Sequence, residues 1–239
     1  IAFEVTSIFA FLLGIFLLLS GRRNTVDLRV AKALFSPLST LCDLLQRLGI
    51  KSPGAYVPTT KKHDQPVAIF LSKGSNDTSI YASEPTTPIL GENGFLVPSV
   101  GNGLLNVVEE ELGDVRKLTL DHLIGWLPRI YKEELRIVQK LEITQEKDII
   151  HVKLADAAFN SLCQSTKNAE ICRFVGCPLI SSVAEAIAKN TGRIIFYKSC
   201  INDPDAKTSE TIFRIGPPAE KMERSKQFQK TSQNGSATT

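Results

Sequence analysis

The stretch GCPLISSVAEAIAKNTGRIIFYKSC, residues 176–200, changes its hydrophobic period once, and that change decides the fold class. Cys177-Pro178 opens a helix, because proline lacks an N–H that the first helical turn leaves unbonded anyway. Leu179, Ile180, Val183, Ala184, Ile187 and Ala188 then recur at the three- and four-residue spacing of a broad apolar helix face. Gly192 suits the left-handed position that ends a helix. Arg193 to Cys200 reads as a strand, Asn202 to Lys207 as a turn and Glu210 to Ile215 as a second strand. A helix feeding consecutive strands places the chain in the α+β class, with mixed helices and a mainly antiparallel sheet.

Upstream, the same two periods alternate. Ile137 to Gln145 and Asp148 to Leu154 flank Glu146-Lys147, and Ile143, Ile150 and Val152 alternate with polar neighbours, which predicts a hairpin. A helix is expected around Asp156 to Ser165, with Ala157, Ala158, Leu162 and Cys163 on its packed face. Thr119 or Asp121 caps a helix carrying Leu120, Leu123, Ile124 and Leu127, and Pro128 begins a further short helix through Leu135. Leu104 to Leu112 forms another helix, stopped by Gly113. Ala55 to Pro58, Val67 to Leu71 and Phe95 to Pro98 read as short strands, with Ile80 to Ser83 as a brief edge strand. The polar stretches Thr59 to Gln65 and Ser72 to Glu92 read as loops.

The two ends differ from this middle. From Val5 to Leu19 only Thr6, Ser7 and Gly14 interrupt an apolar run, and Gly21, Arg22 and Arg23 close it. Ile1 to Ser20 meets the length of about 20 residues that crosses a hydrocarbon core of ~30 Å. Basic residues follow the run rather than precede it, and no small-residue cleavage pattern appears, so a membrane helix over 1–21 is expected rather than a signal peptide. Arg22, Arg23, Arg29 and Lys32 put the long C-terminal part on the cytoplasmic side of a cell membrane. The only methionine is Met222 and the chain starts with Ile1, which leaves room for an earlier membrane helix in a longer protein.

Residues 22–50 carry Val26, Val30, Leu34, Leu38, Leu41, Leu44, Leu45 and Leu48 at helical intervals, an amphipathic connector kinked at Pro37 and stopped by Gly49. Residues 51–216 form the cytosolic domain, with a possible subdivision near 136. Pro217 to Thr239 is a disordered, mildly basic tail. The lipid bilayer is thus the expected partner, with a homodimer or a membrane-complex partner through the connector face as further possibilities. The net charge of +3, with no long basic patch, speaks against nucleic acid.

No catalytic motif stands out. Cys163, Cys172, Cys177 and Cys200 cluster in the C-terminal third and Cys42 stands apart. Four thiolates can hold zinc or an iron–sulfur cluster, but the spacings match no C-x-x-C ribbon. Buried thiols behaving as small apolar residues are the plainer reading, with a disulfide of Cys172 to Cys177 or Cys163 as another. Cys177 at a helix N-terminus has a setting that lowers a thiol pKa, without an identifiable base. Ser99-Val100-Gly101-Asn102-Gly103 lies before a helix, where backbone N–H groups can hold an anion. It lacks the Walker Lys-Ser/Thr, and a tight turn with a helix cap is the default. His63, His122 and His151 have no partner that sequence can name, and Glu109-Glu110-Glu111 reads as a solvated face. Phe159, Phe174, Phe196 and Phe213 are the candidates to line a ligand pocket, or else ordinary core.

The order of helix from Cys177, Gly192, strand to Cys200, loop and strand Thr211-Ile212-Phe213-Arg214-Ile215 resembles the end of vinyl-4-reductase-type small-molecule-binding domains. In that family the second strand opens with a second cysteine. Here Cys200 matches the first, Thr211 stands where the second would be, and Asp203-Pro204-Asp205 replaces a Gly-Asp turn. Tyr56-Val57-Pro58, the Gly-Leu-Leu helix at Gly103, and the segment from Gly176 to Gly192 also resemble an uncharacterised group of archaeal membrane-anchored proteins. The second likeness implies a fold and no established function, whereas the first, with the lack of a catalytic constellation, points to a membrane-tethered, cytosolic ligand-binding or sensory module, leaning away from an enzyme. The alternatives are a scaffolding subunit of a membrane complex and a metal- or thiol-dependent enzyme built on the cysteines.

Overall fold

The computed structural model describes residues 40–41, 43–50, 52–58, 67–72, 90–91, 94–155, 174–203, 205 and 207–218. Along them run β1 (Ala55–Val57), β2 (Ala68–Ser72), β3 (Leu90–Gly91), β4 (Gly94–Pro98), α1 (Asn102–Leu112), α2 (Leu120–Arg129), β5 (Lys140–Glu146), β6 (Ile149–Ala155), α3 (Pro178–Thr191), β7 (Arg193–Asp203) and β8 (Thr208–Pro218). The fold is α+β. The strands make one eight-stranded sheet in the order β3-β4-β2-β1-β7-β8-β6-β5, with every pairing antiparallel.

The helix opened by Cys177-Pro178 is the centre of the helical layer. Cys177 is its N-cap, and the thiol sulfur accepts the Ile180 N–H at 3.5 Å. Gly192 ends it at φ 63°, donating to the Ala188 carbonyl at 2.9 Å. Every residue from Leu179 to Ala188 is buried, so α3 is covered all round rather than along one face. It packs on β1, β7 and β8 below and on α1 and α2 beside it. Alternate strand residues, including Tyr56, Ile69, Leu71, Ile143, Ile150, Val152, Ile195, Phe213 and Ile215, meet the helices in one core.

The other alternation set divides along the sheet. At β1, β2, β4 and β7 a smaller cluster of Ala55, Val57, Phe70 and Ile194, with Leu96 and Phe196, lies on the reverse face. Across β5, β6 and β8 the reverse face mixes polar and charged residues with Ile149, Ala155 and Ile212.

Several boundaries differ from the sequence reading. β7 and β8 are eleven residues each, running past Cys200 and from Thr208 to Pro218, because the two strands pair with each other along their whole length. Pro217 and Pro218 therefore belong to the sheet rather than to a tail. Pro128 does not begin a new helix but lies in the last turn of α2. It has no N–H to give, and the chain continues through a wide π turn, Ile130–Glu134, closed by Leu135 N–H to Ile130 O at 2.9 Å. That wide turn buries Ile130 and Tyr131 next to each other.

Residues 43–47 are helical and end at Gly49, φ 78°. Gly49 N–H bonds Gln46 O and Ile50 N–H bonds Leu45 O, with Leu45 and Ile50 both buried, the pattern of a Schellman stop. The apolar run 1–21, the connector before residue 40, the strand at Ile80–Ser83, the helix at Asp156–Ser165 and the tail beyond Pro218 lie outside the described residues. Among the described residues no helix is long and apolar enough to cross a membrane.

Candidate functional site

Because the helices cover one face only, the cross-strand register decides what the opposite face of β5–β8 presents. It sets Glu142, Lys153, Glu210 and Ile201 side by side in one row, and Lys140, Ala155, Thr208 and Asp203 in the next. These two rows line a groove of about 390 Å³. Three carboxylates and two ammonium groups lie in it, and Ile201 adds an apolar side chain that is 62% exposed. Lys140 pairs with Glu142 at 2.8 Å, and that ammonium holds the Glu142 carboxyl below the usual range. Glu210 is shared between His151 Nδ1 at 2.9 Å and Lys153 Nζ at 3.9 Å.

A second constellation is sealed inside the helix layer. Ser181 Oγ donates to Val175 O at 2.6 Å and lies 2.9 Å from the Tyr56 hydroxyl. Ser182 Oγ donates to Leu179 O at 2.8 Å, which leaves the Tyr131 hydroxyl as donor to Ser182 at 2.6 Å. Burial raises the Tyr131 phenol well above its ordinary pKa. One turn on, Glu185 is 1% exposed, and its carboxyl is bonded by the Ser99 hydroxyl and the Val67 N–H. Burial pushes this carboxyl up to about 7, against the opposing pull of those bonds and of Lys189. Its Oε2 has no hydrogen-bond partner. Lys189 pairs with Glu109 at 2.7 Å. These groups tie α3 to β1, to the π turn and to the corner between β4 and α1.

The aromatic candidates among the described residues fall on two faces of the sheet. Phe174 and Phe213 belong to the main core, with Phe213 edge-on to Tyr56 and Tyr197 at 6.1 Å each. Phe196 is on the reverse face, under the Arg214 guanidinium at 5.0 Å, because neighbouring strand residues point to opposite sides. Phe159 lies outside the described residues. Cys42, Cys163 and Cys172 do too, which leaves Cys177, buried at the α3 cap, and Cys200 on β7. Burial pushes the Cys200 thiol up, and Thr211 Oγ1 donates to its sulfur from the opposing strand at 3.5 Å. Among the described residues no group of three or more His, Cys, Asp and Glu could hold a metal ion.

The glycine turn before α1 holds no open anion site either. Gly101 is buried where a Cβ would meet the backbone of Ser181 and Ser182. Glu185 and the groove residues are absent from the sequence candidates. Glu185 had a local signal, a carboxylate in the apolar run of α3. The groove had none, because residues from four strands meet only through register. No family model, curated protein or solved structure matches the chain.

Proposed function

We propose that this chain is a non-catalytic binding module, held at a membrane by its N-terminal apolar run, and that its ligand is an organic cation seated in the β5–β8 groove. The groove itself supports the reading: three carboxylates against two ammonium groups, with the exposed Ile201 side chain beside Asp203. A carboxylate paired with a bound ammonium in a partly enclosed site gains more than an exposed pair, and Ile201 gives apolar contact. The likeness of the C-terminal helix and two strands to small-molecule-binding domains points the same way.

The test is calorimetric titration of the full chain with phenethylamine, and with glutamate as an anionic control. Saturable heat is expected for the amine only, weakened by Asp203→Asn and by Glu210→Gln at unchanged melting temperature. An amine that does not bind, or that binds indifferently to both substitutions, overturns the reading. A scaffolding role in a membrane complex is the second reading, favoured by Leu44 and Leu48, which are 52% and 41% exposed at the end of the connector.

A further inference from the structure

The sheet ends at β5, and among the described residues no strand pairs with its outer edge. The register of the β5–β6 hairpin fixes what that edge presents. Its loop is Lys147-Asp148, so Glu146 and Ile149 form the closing hydrogen-bonded pair. Counting from that pair, Lys140, Glu142, Thr144 and Glu146 direct their N–H and C=O groups at β6. Leu141, Ile143 and Gln145 direct theirs at the open edge. Side chains follow the same alternation: Leu141 and Ile143 are buried under the helices, and the even-numbered residues are exposed on the groove face.

This strand is complementary to itself. Antiparallel pairing about Ile143 sets Lys140 against Glu146, Leu141 against Gln145, Glu142 against Thr144 and Ile143 against Ile143. Every edge N–H and C=O then meets an edge C=O or N–H, and buried side chains stay on the buried face. A shift by one residue sets bonding residues against non-bonding ones. A shift by two sets Glu142 against either Glu142 or Glu146, and like charges directly opposite are destabilising. Among registers that pair five or more residues of the strand, only the one about Ile143 satisfies both backbone and charge.

We propose that β5 pairs with β5 of a second copy about a two-fold axis at Ile143, joining the two sheets edge to edge. The partner's Glu146 then lies beside Lys140 at the rim of the groove and adds a further carboxylate to it. That last step rests on the groove being the binding site, whereas the pairing does not.

The experiment is sedimentation velocity of the full chain in mild detergent. The unaltered chain is expected to be a dimer. Lys140→Glu and Glu146→Lys each place like charges opposite at two symmetric positions, and each should weaken dimerisation by about tenfold or more. The double exchange, Lys140→Glu with Glu146→Lys, restores opposite charges and should restore the dimer. Glu146→Lys leaves the Lys140–Glu142 pair in place, and a cooperative thermal unfolding transition with an unchanged folded circular-dichroism spectrum confirms that each variant is folded. A monomeric unaltered chain, a dimer indifferent to both single reversals, or a double exchange as weak as the singles would each overturn the pairing. Sedimentation reads association without ligand, so its failure is distinct from failure of the amine titration.

Discussion

A single carboxyl, that of Glu185, gives this fold a pH dependence of known sign. It is shut in by Ser99, the Val67 N–H, Lys189 and Glu109, with the Tyr131 phenol also within electrostatic reach. Its pKa is pushed from 4.5 to about 7, so the folded protein holds the proton more tightly than the unfolded chain does. The stability it contributes is full below pH 4.5, falls as pH rises toward about 7, and is level above that. The whole drop is at most roughly 3–4 kcal/mol, because each tenfold gain in proton affinity on folding is worth ~1.4 kcal/mol. Glu185→Gln carries no titrating proton and should remove this part of the slope. Urea unfolding at intervals between pH 4.5 and 8 measures it. An unaltered chain with a flat profile, or a variant with the same slope, contradicts the assignment.

At the scale of elements, Gly101 and Gly103 show how far local sequence carries. In Gly101-Asn102-Gly103 the two glycines look alike, and both suit a turn and a helix cap. In the fold they do opposite things. A Cβ on Gly101 would come within 2.6 Å of Ser182 Cα, where α1 begins against the α3 backbone, and a backbone cannot swing aside. Gly103 lies inside α1 with nothing within 4 Å of a Cβ. Gly101→Ala should cost roughly 2–4 kcal/mol, whereas Gly103→Ala should stabilise by about 0.5–1 kcal/mol. Paired thermal melts by circular dichroism read the two signs, and equal effects would remove the close-approach argument.

The same division runs through every element. Caps and periods are local, and they make the helix after Cys177, the Thr119 cap, the hairpin and the Gly113 and Gly192 stops legible in the sequence. The lengths of β7 and β8, the separation of Phe196 from Phe213 and the groove depend on which distant strand lies alongside. No local pattern encodes that. Pro128 was misleading for a related reason: its ring permits a helix start, but Ile130 and Tyr131 are drawn into the core, and that keeps the chain turning.

Across the whole molecule, the eight strands are not joined evenly. β7 and β8 pair from Arg193↔Pro218 to Asp203↔Thr208, and β8 to β6 to β5 continues with seven-residue registers. The two halves of the sheet meet at β1 and β7, where Ala55↔Phe196 and Tyr56↔Ile195 are paired and the Tyr197 N–H reaches Gly54 O at 3.4 Å. Tyr56 ties β1 to the other half as well, through its hydroxyl to Ser181 and its ring edge against Phe213. Backbone stitching this short leaves one half able to open while the other stays folded, because local opening follows the number of bonds and buried contacts to be broken. Native-state hydrogen exchange should therefore divide the sheet. Amides of α3, β6, β7 and β8 should exchange only through global unfolding, and those of β1, β2 and β4 through a lower-energy opening. Tyr56→Phe removes the hydroxyl that reaches Ser181, and it should speed exchange in β1, β2 and β4 while barely altering β6 and β8. Uniform protection across the sheet, or a Tyr56→Phe effect spread equally over both halves, would show that the sheet opens as one unit.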